Sequence, residues 1–134
     1  MYNMSMKHIH TDINIELALE HYIDIMLWTL KRSMSDDEVL DSKLTIHDVG
    51  TDFKEVSRTE LESFIKENEA DLLTWKHEEV SEQVGHDFWL TRNHYGSGFC
   101  DDEWNHEVGQ RLTASARKFS RVIVMDCDGV IKRA

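Results

Sequence analysis

The sequence predicts an α+β fold in which three helices pack on a small antiparallel β-sheet that ends in a C-terminal β-hairpin. Two observations predict this fold. Segments with helical periodicity come first along the chain, and β-rich segments and turn signals come mostly late. That order is typical of α+β rather than alternating α/β proteins. The 134 residues fit a single domain, 1–134.

The first predicted helix runs from about Asn14 to Lys31, and Thr11 or Asp12 is placed to cap its start. Its apolar residues recur at helical spacing and are Ile15, Ala18, Leu19, Tyr22, Ile23, Met26 and Leu30. A second apolar row consists of Leu17, Ile25 and Trp28. A helix that is apolar on two sides is central in its domain or buried in an oligomer. We therefore expect either a homodimer through Ile25 or Trp28, or a monomer built around this helix.

The middle of the chain predicts a second helix. Apolar and polar residues alternate weakly in Lys43–Val49, which predicts a short strand or a bridging segment. Ser57 followed by Glu60 has the pattern of a capping box, which predicts a helix from Ser57 to about Trp75. A short helical turn over Glu78–Val84 is expected to stop at Gly85.

The last third of the chain supplies the predicted sheet. A third helix is expected from a cap at Asn105 to about Lys118. The turn signal Asp128-Gly129 predicts the terminal hairpin. Because β-forming residues dominate them, four segments are predicted as strands: Phe88–Arg92, Phe99–Cys100, Arg121–Met125 and Val130–Lys132.

The formal net charge is −11, and it is unevenly distributed. Residues 35–103 carry nineteen acidic and six basic residues, whereas residues 104–134 carry six basic and three acidic residues. An acidic middle of this kind repels phosphates and suits a basic protein partner, so we expect no direct nucleic-acid binding. The alternative is that the charge only keeps the domain in solution.

The sequence predicts a cytoplasmic protein without a membrane segment. It has no apolar run of about 18 residues and no secretory signal at its start. Cys100 and Cys127 are expected to be free thiols in a reducing compartment, each beside aspartates that disfavour the thiolate.

The signature segment, residues 85–102, has the most distinctive composition of the chain, because it combines aromatics, glycines, an arginine, two histidines and acids. We expect this segment to be a structural loop or a partner-binding loop. Its candidate residues are His86, Asp87, Phe88, Trp89, Arg92, Asn93, His94, Gly96, Gly98, Phe99 and Asp101. Arg92 is expected to clamp nearby carboxylates, with Asp87, Asp101 and Asp102 in reach, and so to lock the loop.

The residue types of the same segment are compatible with two kinds of chemistry, metal binding and nucleophilic catalysis. His86, His94, Cys100, Asp101, Asp102 and His106 are all able to bind metal, but their spacing matches no strong template. Gly96-Ser97-Gly98 falls short of a Gly-x-Ser-x-Gly nucleophile turn and of a dinucleotide fingerprint, and predicts a tight turn. We expect no catalytic residue, metal or cofactor; the alternative is a small metal- or cysteine-dependent hydrolase using His86, His94 and Cys100.

The signature segment resembles the GHDFWLTRNGHGAGFWD-like motif of small, uncharacterised proteins encoded by bacteriophages and some bacteria. Similarity extends to Met26-Leu27-Trp28, Leu40-Asp41, Arg111-Leu112-Thr113 and the turn Asp126-Cys127-Asp128-Gly129. The chain departs from the pattern at His94-Tyr95, where a Gly-His pair is usual, and at Cys100, where tryptophan is usual. The resemblance implies no mechanism.

Resemblance and charge together predict a non-enzymatic, phage-type accessory protein that binds and modulates a host protein. Acidic mimicry of DNA is the most concrete form of this hypothesis, because carboxylates are able to stand in for backbone phosphates. A virion or assembly component is the alternative that the resemblance favours equally.

Overall fold

The computed structural model describes residues 13–32, 46–127 and 130–133, and these residues are predominantly helical. Four α-helices follow one another as α1 (Ile15–Arg32), α2 (Thr51–Leu72), α3 (Val80–Arg92) and α4 (His106–Ala116). A short 3-10 helix, Ile46–Asp48, precedes α2. The strands β1 (Val124–Cys127) and β2 (Val130–Arg133) pair antiparallel as a terminal hairpin, with Cys127 opposite Val130.

The predicted α+β class is wrong, because the signature segment supplies no strand to a sheet. Phe88–Arg92 forms the last turns of α3, and Phe99–Cys100 lies in the turn that follows it. The β propensity of Phe, Trp and Thr was outweighed by tertiary packing, which commonly overrides this weak preference. A terminal hairpin forms, but only residues 124 and 125 of the predicted strand Arg121–Met125 lie in β1, and the predicted turn Asp128-Gly129 lies outside the described residues. The hairpin is a two-stranded ribbon rather than the edge of a four-segment sheet.

Helix α1 forms as the apolar periodicity predicted. Its N-cap is Asn14, whose side chain accepts a hydrogen bond from the Leu17 backbone N–H at 3.0 Å. The two caps that the sequence suggested, Thr11 and Asp12, lie outside the described residues. Ala18, Leu19, Tyr22, Ile23 and Met26 are buried along the main apolar row. In the second row, Leu17 and Ile25 are half-buried and Trp28 is exposed.

Helix α2 begins two turns before the predicted capping box. Gly50 is its N-cap without a side-chain hydrogen bond, and Ser57 is fully buried inside the helix. Glu60, the other half of that box, contacts Arg92 instead. Residues 46–48 of the predicted strand Lys43–Val49 form the 3-10 helix, and residues 43–45 lie outside the described part of the chain.

Helix α3 continues through Gly85, where the sequence predicted an end. A Cβ atom at Gly85 would overlap the Ala18 carbonyl group of α1. Glycine therefore permits the close approach of α1 and α3, which form the most extensive helix pair. The Glu79 side chain caps α3 by accepting a hydrogen bond from Ser81 N–H at 3.2 Å. The Ser81 hydroxyl in turn accepts from Asn14 N–H at 2.7 Å, which joins the starts of the two helices.

Helix α4 confirms the predicted cap. The Asn105 side chain accepts hydrogen bonds from Glu107 N–H at 3.0 Å and Val108 N–H at 3.2 Å. Val108 and Leu112 face the core, which the four helices share. None of the described helices combines the length and apolar character that crossing a membrane requires.

Candidate functional site

The signature segment occupies the second half of α3 and the connection to α4. Phe88, Trp89, Arg92 and Phe99 are buried, although the segment contains polar and charged residues in between. Its composition is therefore explained first by contacts inside the molecule.

Arg92 is the largest fully buried side chain, with 1% of its surface exposed. It donates from Nη1 to Glu60 Oε1 at 2.7 Å and from Nη2 to Glu60 Oε2 at 3.4 Å. It also donates from Nε and Nη2 to the Ser120 carbonyl oxygen at 3.0 and 2.7 Å. A buried guanidinium requires a charge partner and acceptors in fixed geometry, and α2 and the segment after α4 provide them.

Aromatic groups complete the surroundings of Arg92. Its guanidinium carbon lies 5.3 Å from the centre of the Phe88 ring and 5.6 Å from that of Phe119. The Tyr22 hydroxyl accepts a hydrogen bond from Nη1 at 3.3 Å. The sequence predicted a clamp between Arg92 and a carboxylate, but the carboxylate is Glu60 and not Asp87, Asp101 or Asp102.

Asp87 is the second buried charged group of the segment, with 1% of its surface exposed. Its Oδ2 accepts hydrogen bonds from Trp104 Nε1 at 2.8 Å and Gln83 Nε2 at 2.9 Å. Its Oδ1 lies 2.9 Å from Nδ1 of His86. Asp87 thus links the side chains of Trp104 and Gln83 to that of His86, which is 43% exposed.

The loop after α3 is held by hydrogen bonds to α3 itself. Thr91 Oγ1 accepts from Phe99 N–H at 3.1 Å. Gly98 has a φ of +109°, and a Cβ atom there would overlap Thr91 Oγ1 and lie 3.0 Å from the Asp87 carbonyl oxygen. Asn93 donates to the Trp89 carbonyl oxygen at 3.0 Å and accepts from Val122 N–H at 2.8 Å.

The two aromatic neighbours Phe88 and Trp89 point to different parts of the core. Phe88 stacks on Phe64 with ring centres 4.6 Å apart, and Phe64 also stacks on Phe99. Trp89 donates from Nε1 to Thr29 Oγ1 at 3.1 Å on α1. Successive residues on a helix point in different directions, which separates the two rings.

His94 and Gly96 are exposed, as are Tyr95 between them and Cys100 to Asp102 further along the loop. His94 has a left-handed φ of 60°. Partial desolvation, followed by the charges of Arg121 and Arg117, lowers the pKa of His94 from its usual value. His94 therefore lies close enough to the side chains of Arg117 and Arg121 to be affected by their positive charges.

Cys100, Asp101, Asp102 and His106 line a groove of about 740 Å³ beside α4. Cys100 is exposed, and its Sγ lies 3.9 Å from the Gly96 carbonyl oxygen. Asp101 Oδ2 accepts a hydrogen bond from Gly98 N–H at 3.4 Å. Within the described residues, no three His, Cys, Asp or Glu side chains form a group able to hold a metal ion.

A second cavity, the α1–α3 cleft, has a volume of about 550 Å³. Helix α1 contributes His21, Asp24, Ile25 and Trp28; His86 and Leu90 of α3 and Ser97 of the loop complete it. Trp28 is 54% exposed. His86 therefore lines this cleft, Cys100 lines the groove beside α4, and His94 lies by Arg117 and Arg121, so the proposed hydrolase trio is divided among three places.

Sequence reasoning missed the partners that make the segment fold. Glu60, Ser120, Gln83 and Trp104 were not assigned to it. One signal was available: an arginine inside an apolar segment requires a carboxylate when buried. The sequence contains 26 acidic residues, so this rule alone did not single out Glu60.

Comparison with protein-family models finds no match. Comparisons with curated proteins and with solved structures find none either.

Proposed function

We propose that this chain is an accessory protein that binds and modulates a host protein through an acidic surface, in the cytoplasm of the host cell. The observation that carries the proposal is a set of exposed carboxylates without an ion-pair partner among the described residues. They include Glu20 and Asp24 on α1 and Asp52 and Glu62 on α2.

Four of the nine lysine and arginine side chains that the structure describes form ion pairs inside the chain. These pairs are Arg58 with Glu16, Arg92 with Glu60, Arg111 with Asp71 and Lys118 with Glu67. Each of them neutralises one acid, and the excess of acids over bases then remains on the surface. A surface with such an uncompensated charge attracts a partner of opposite sign.

Helix α2 gives the proposal its most concrete form. Asp52 and Glu62 are exposed on the part of this helix that precedes the non-helical residue Asn68, and they lie roughly 15 Å apart along it. Two unpaired carboxylates on one helix are suited to contact basic groups that otherwise bind the DNA backbone.

The resemblance to phage-encoded proteins supports a host protein as the target. The proposal assigns no catalytic role to the signature segment, because Asp87, Thr91 and Arg92 are each engaged in buried contacts that hold the fold together.

The test is affinity capture from host extract with the tagged full chain, repeated as the salt concentration rises. The expected partner is a nucleic-acid-binding protein that is displaced by DNA and is lost steeply between low and moderate salt. Capture of phage structural proteins only would instead indicate a virion or assembly component, and would overturn the proposal.

Two matched double variants locate the surface on the captured partner. Asp52→Asn with Glu62→Gln removes two charges from α2, and we expect about tenfold weaker binding, equivalent to about 1.4 kcal/mol. Asp102→Asn with Glu103→Gln removes two exposed charges next to α4 and is expected to bind like the unmodified chain. An equal loss in both variants would contradict an interface on α2.

A further inference from the structure

Three basic side chains lie together where α3 and α4 end, and we call them the basic corner: His94, Arg117 and Arg121. All three are exposed, and none of them forms an ion pair or a side-chain hydrogen bond within the part of the chain that the structure describes. We propose that the basic corner binds one phosphate group, carried by a phosphorylated side chain of a protein.

The end of α3 holds the chain on both sides of Arg121. Arg92, the last residue of α3, donates two hydrogen bonds to the Ser120 carbonyl oxygen, at 3.0 and 2.7 Å. Asn93, the C-cap of α3, accepts a hydrogen bond from Val122 N–H at 2.8 Å. The histidine of the corner directly follows Asn93, so these contacts place it next to Arg121.

The end of α4 brings the third basic group to the same place. Arg117 is the C-cap of α4, and the turn that follows it packs the Phe119 ring on Phe88 of α3, with ring centres 5.2 Å apart. The pKa of His94 agrees with this placement, since partial desolvation and then the charges of Arg121 and Arg117 lower it from its usual value. The two guanidinium groups therefore create a positive field at the imidazole.

The basic corner suits a group with several acceptor oxygens and more than one negative charge. The planar forks of Arg117 and Arg121 match phosphate oxygens, and the imidazole N–H of His94 is a third donor. The C-terminal ends of α3 and α4 add about half a negative charge each, which leaves about one positive charge of the two guanidinium groups uncompensated. A phosphorylated side chain has three acceptor oxygens and a charge of about −1.5 to −2 at pH 7, whereas a carboxylate has two oxygens and a single charge.

The surroundings favour a phosphate on a protein segment over a polyanion. The formal net charge of −11 repels a nucleic-acid strand or an anionic bilayer, which carries many charges. Two large apolar side chains adjoin the basic corner: Ile123 is 70% exposed and Tyr95 is 50% exposed. Val122 is buried between Arg121 and Ile123, so the side chains of these two residues lie on the same outward side of the chain. Such apolar groups suit an apolar neighbour of the phosphorylated residue.

The test is a titration of the ¹⁵N-labelled full chain at pH 7 and constant ionic strength, followed by ¹H–¹⁵N NMR. Acetyl-phosphoseryl-leucine amide is expected to give saturable shifts at residues 94–95 and 117–123, with a dissociation constant on the order of 1 mM. Inorganic phosphate is expected to bind at the same residues several-fold more weakly, because it lacks the apolar group. Acetyl-glutamyl-leucine amide is expected to bind at least fivefold more weakly, and acetyl-seryl-leucine amide not at all.

Matched variants assign the site. Arg121→Gln and, separately, Arg117→Gln are each expected to weaken binding of the phosphorylated peptide at least fivefold. Lys118→Gln removes an exposed cation of the same turn whose Nζ lies 3.9 Å from Glu67 Oε2, and it is expected to change binding less than twofold. Ile123→Ser is expected to remove the preference for the phosphorylated peptide over inorganic phosphate.

Several outcomes would overturn the proposal. They are shifts that do not saturate, equal binding of the unphosphorylated peptide, and a loss in Lys118→Gln as large as in the two arginine variants. Tighter binding of a short thymidine oligonucleotide or of vesicles with anionic lipid than of the phosphorylated peptide would assign the basic corner to a polyanion and would overturn it as well. The acidic surface is tested separately, because capture of a partner that depends on Asp52 and Glu62 does not involve these residues.

Discussion

The signature segment and the α1–α3 cleft differ in how far their charged and aromatic side chains are exposed. In the signature segment, Arg92 and Asp87 are 1% exposed and each makes several hydrogen bonds to other elements. In the cleft, Asp24 and Trp28 are exposed, and His86 is 43% exposed with one ring nitrogen engaged. Residues of both regions lie on the same helix, α3.

The difference shows why a distinctive composition does not by itself mark a functional site. A buried ion pair and a buried carboxylate require particular residue types around them, since an unsatisfied buried charge is costly. The aromatics, the arginine and Gly98 of the segment meet that requirement. The cleft uses ordinary surface residues, which have no distinctive pattern in the sequence.

The largest expected effect comes from breaking the Arg92–Glu60 pair. Arg92→Ala removes the buried guanidinium that pairs with Glu60 and donates two hydrogen bonds to the Ser120 carbonyl oxygen. We expect the free energy of unfolding to fall by about 3–5 kcal/mol, measured by urea denaturation.

The control for Arg92 is the double variant Arg92→Leu with Glu60→Leu. It removes both charges and keeps apolar volume, so it is expected to recover part of the loss. If Arg92→Ala unfolds at the same urea concentration as the unmodified chain, the interior role of the signature segment is wrong.

The same substitution, glycine to alanine, is expected to have different effects at two positions of the signature segment. Gly98→Ala forces a Cβ atom into a left-handed residue against Thr91 Oγ1, which also displaces the Thr91–Phe99 hydrogen bond. We expect a loss of about 2–3 kcal/mol. Gly96→Ala, with a φ of +82° and open space around it, is expected to cost about 1 kcal/mol. Equal midpoints in thermal unfolding would contradict the close packing of the loop on α3.

Asp87 and His86 are neighbours in the sequence, but Asp87 is buried in the interior and His86 lines the α1–α3 cleft. Asp87→Asn replaces a charged acceptor in contact with Trp104 and Gln83, and we expect a loss of about 1–3 kcal/mol. His86→Gln changes a side chain that is 43% exposed, so its effect on stability is expected to stay below about 1 kcal/mol. A larger destabilisation by His86→Gln than by Asp87→Asn would reverse the assignment.

The sequence predicted elements whose signals are local. The apolar periodicity of α1 and the Asn105 cap of α4 were confirmed, because both depend on residues within one or two turns. The capping box predicted at Ser57 and Glu60 was wrong for the opposite reason. Glu60 serves a residue 32 positions away, and no local pattern reveals such a partner.

Two predictions were wrong because they depend on packing between helices: the helix end at Gly85 and the strand Phe88–Arg92. A glycine after an apolar run predicts a helix end. Gly85 instead lies inside α3 and allows the backbone of α1 to approach α3 closely. Phe, Trp and Thr favour strands only weakly, and a helix that is buried on nearly all sides lacks the amphipathic period that would have identified it. The cleft was unpredictable because it needs the relative placement of α1 and α3.

The smallest expected effect belongs to a surface pair, Asp71 with Arg111, joined by two hydrogen bonds of 2.8 Å. The hydrogen bond from Arg111 lowers the pKa of Asp71 below its ordinary value of 3.8. A carboxyl group whose folded-state pKa is depressed contributes stability above its unfolded value, and this contribution is lost as the pH falls through the folded value. Asp71→Asn is therefore expected to remove at most about 1 kcal/mol at pH 7 and to flatten the loss of stability below about pH 4. Arg111→Gln should reproduce both changes, whereas an unaltered acid limb in urea denaturation would show that the pair is too exposed to contribute.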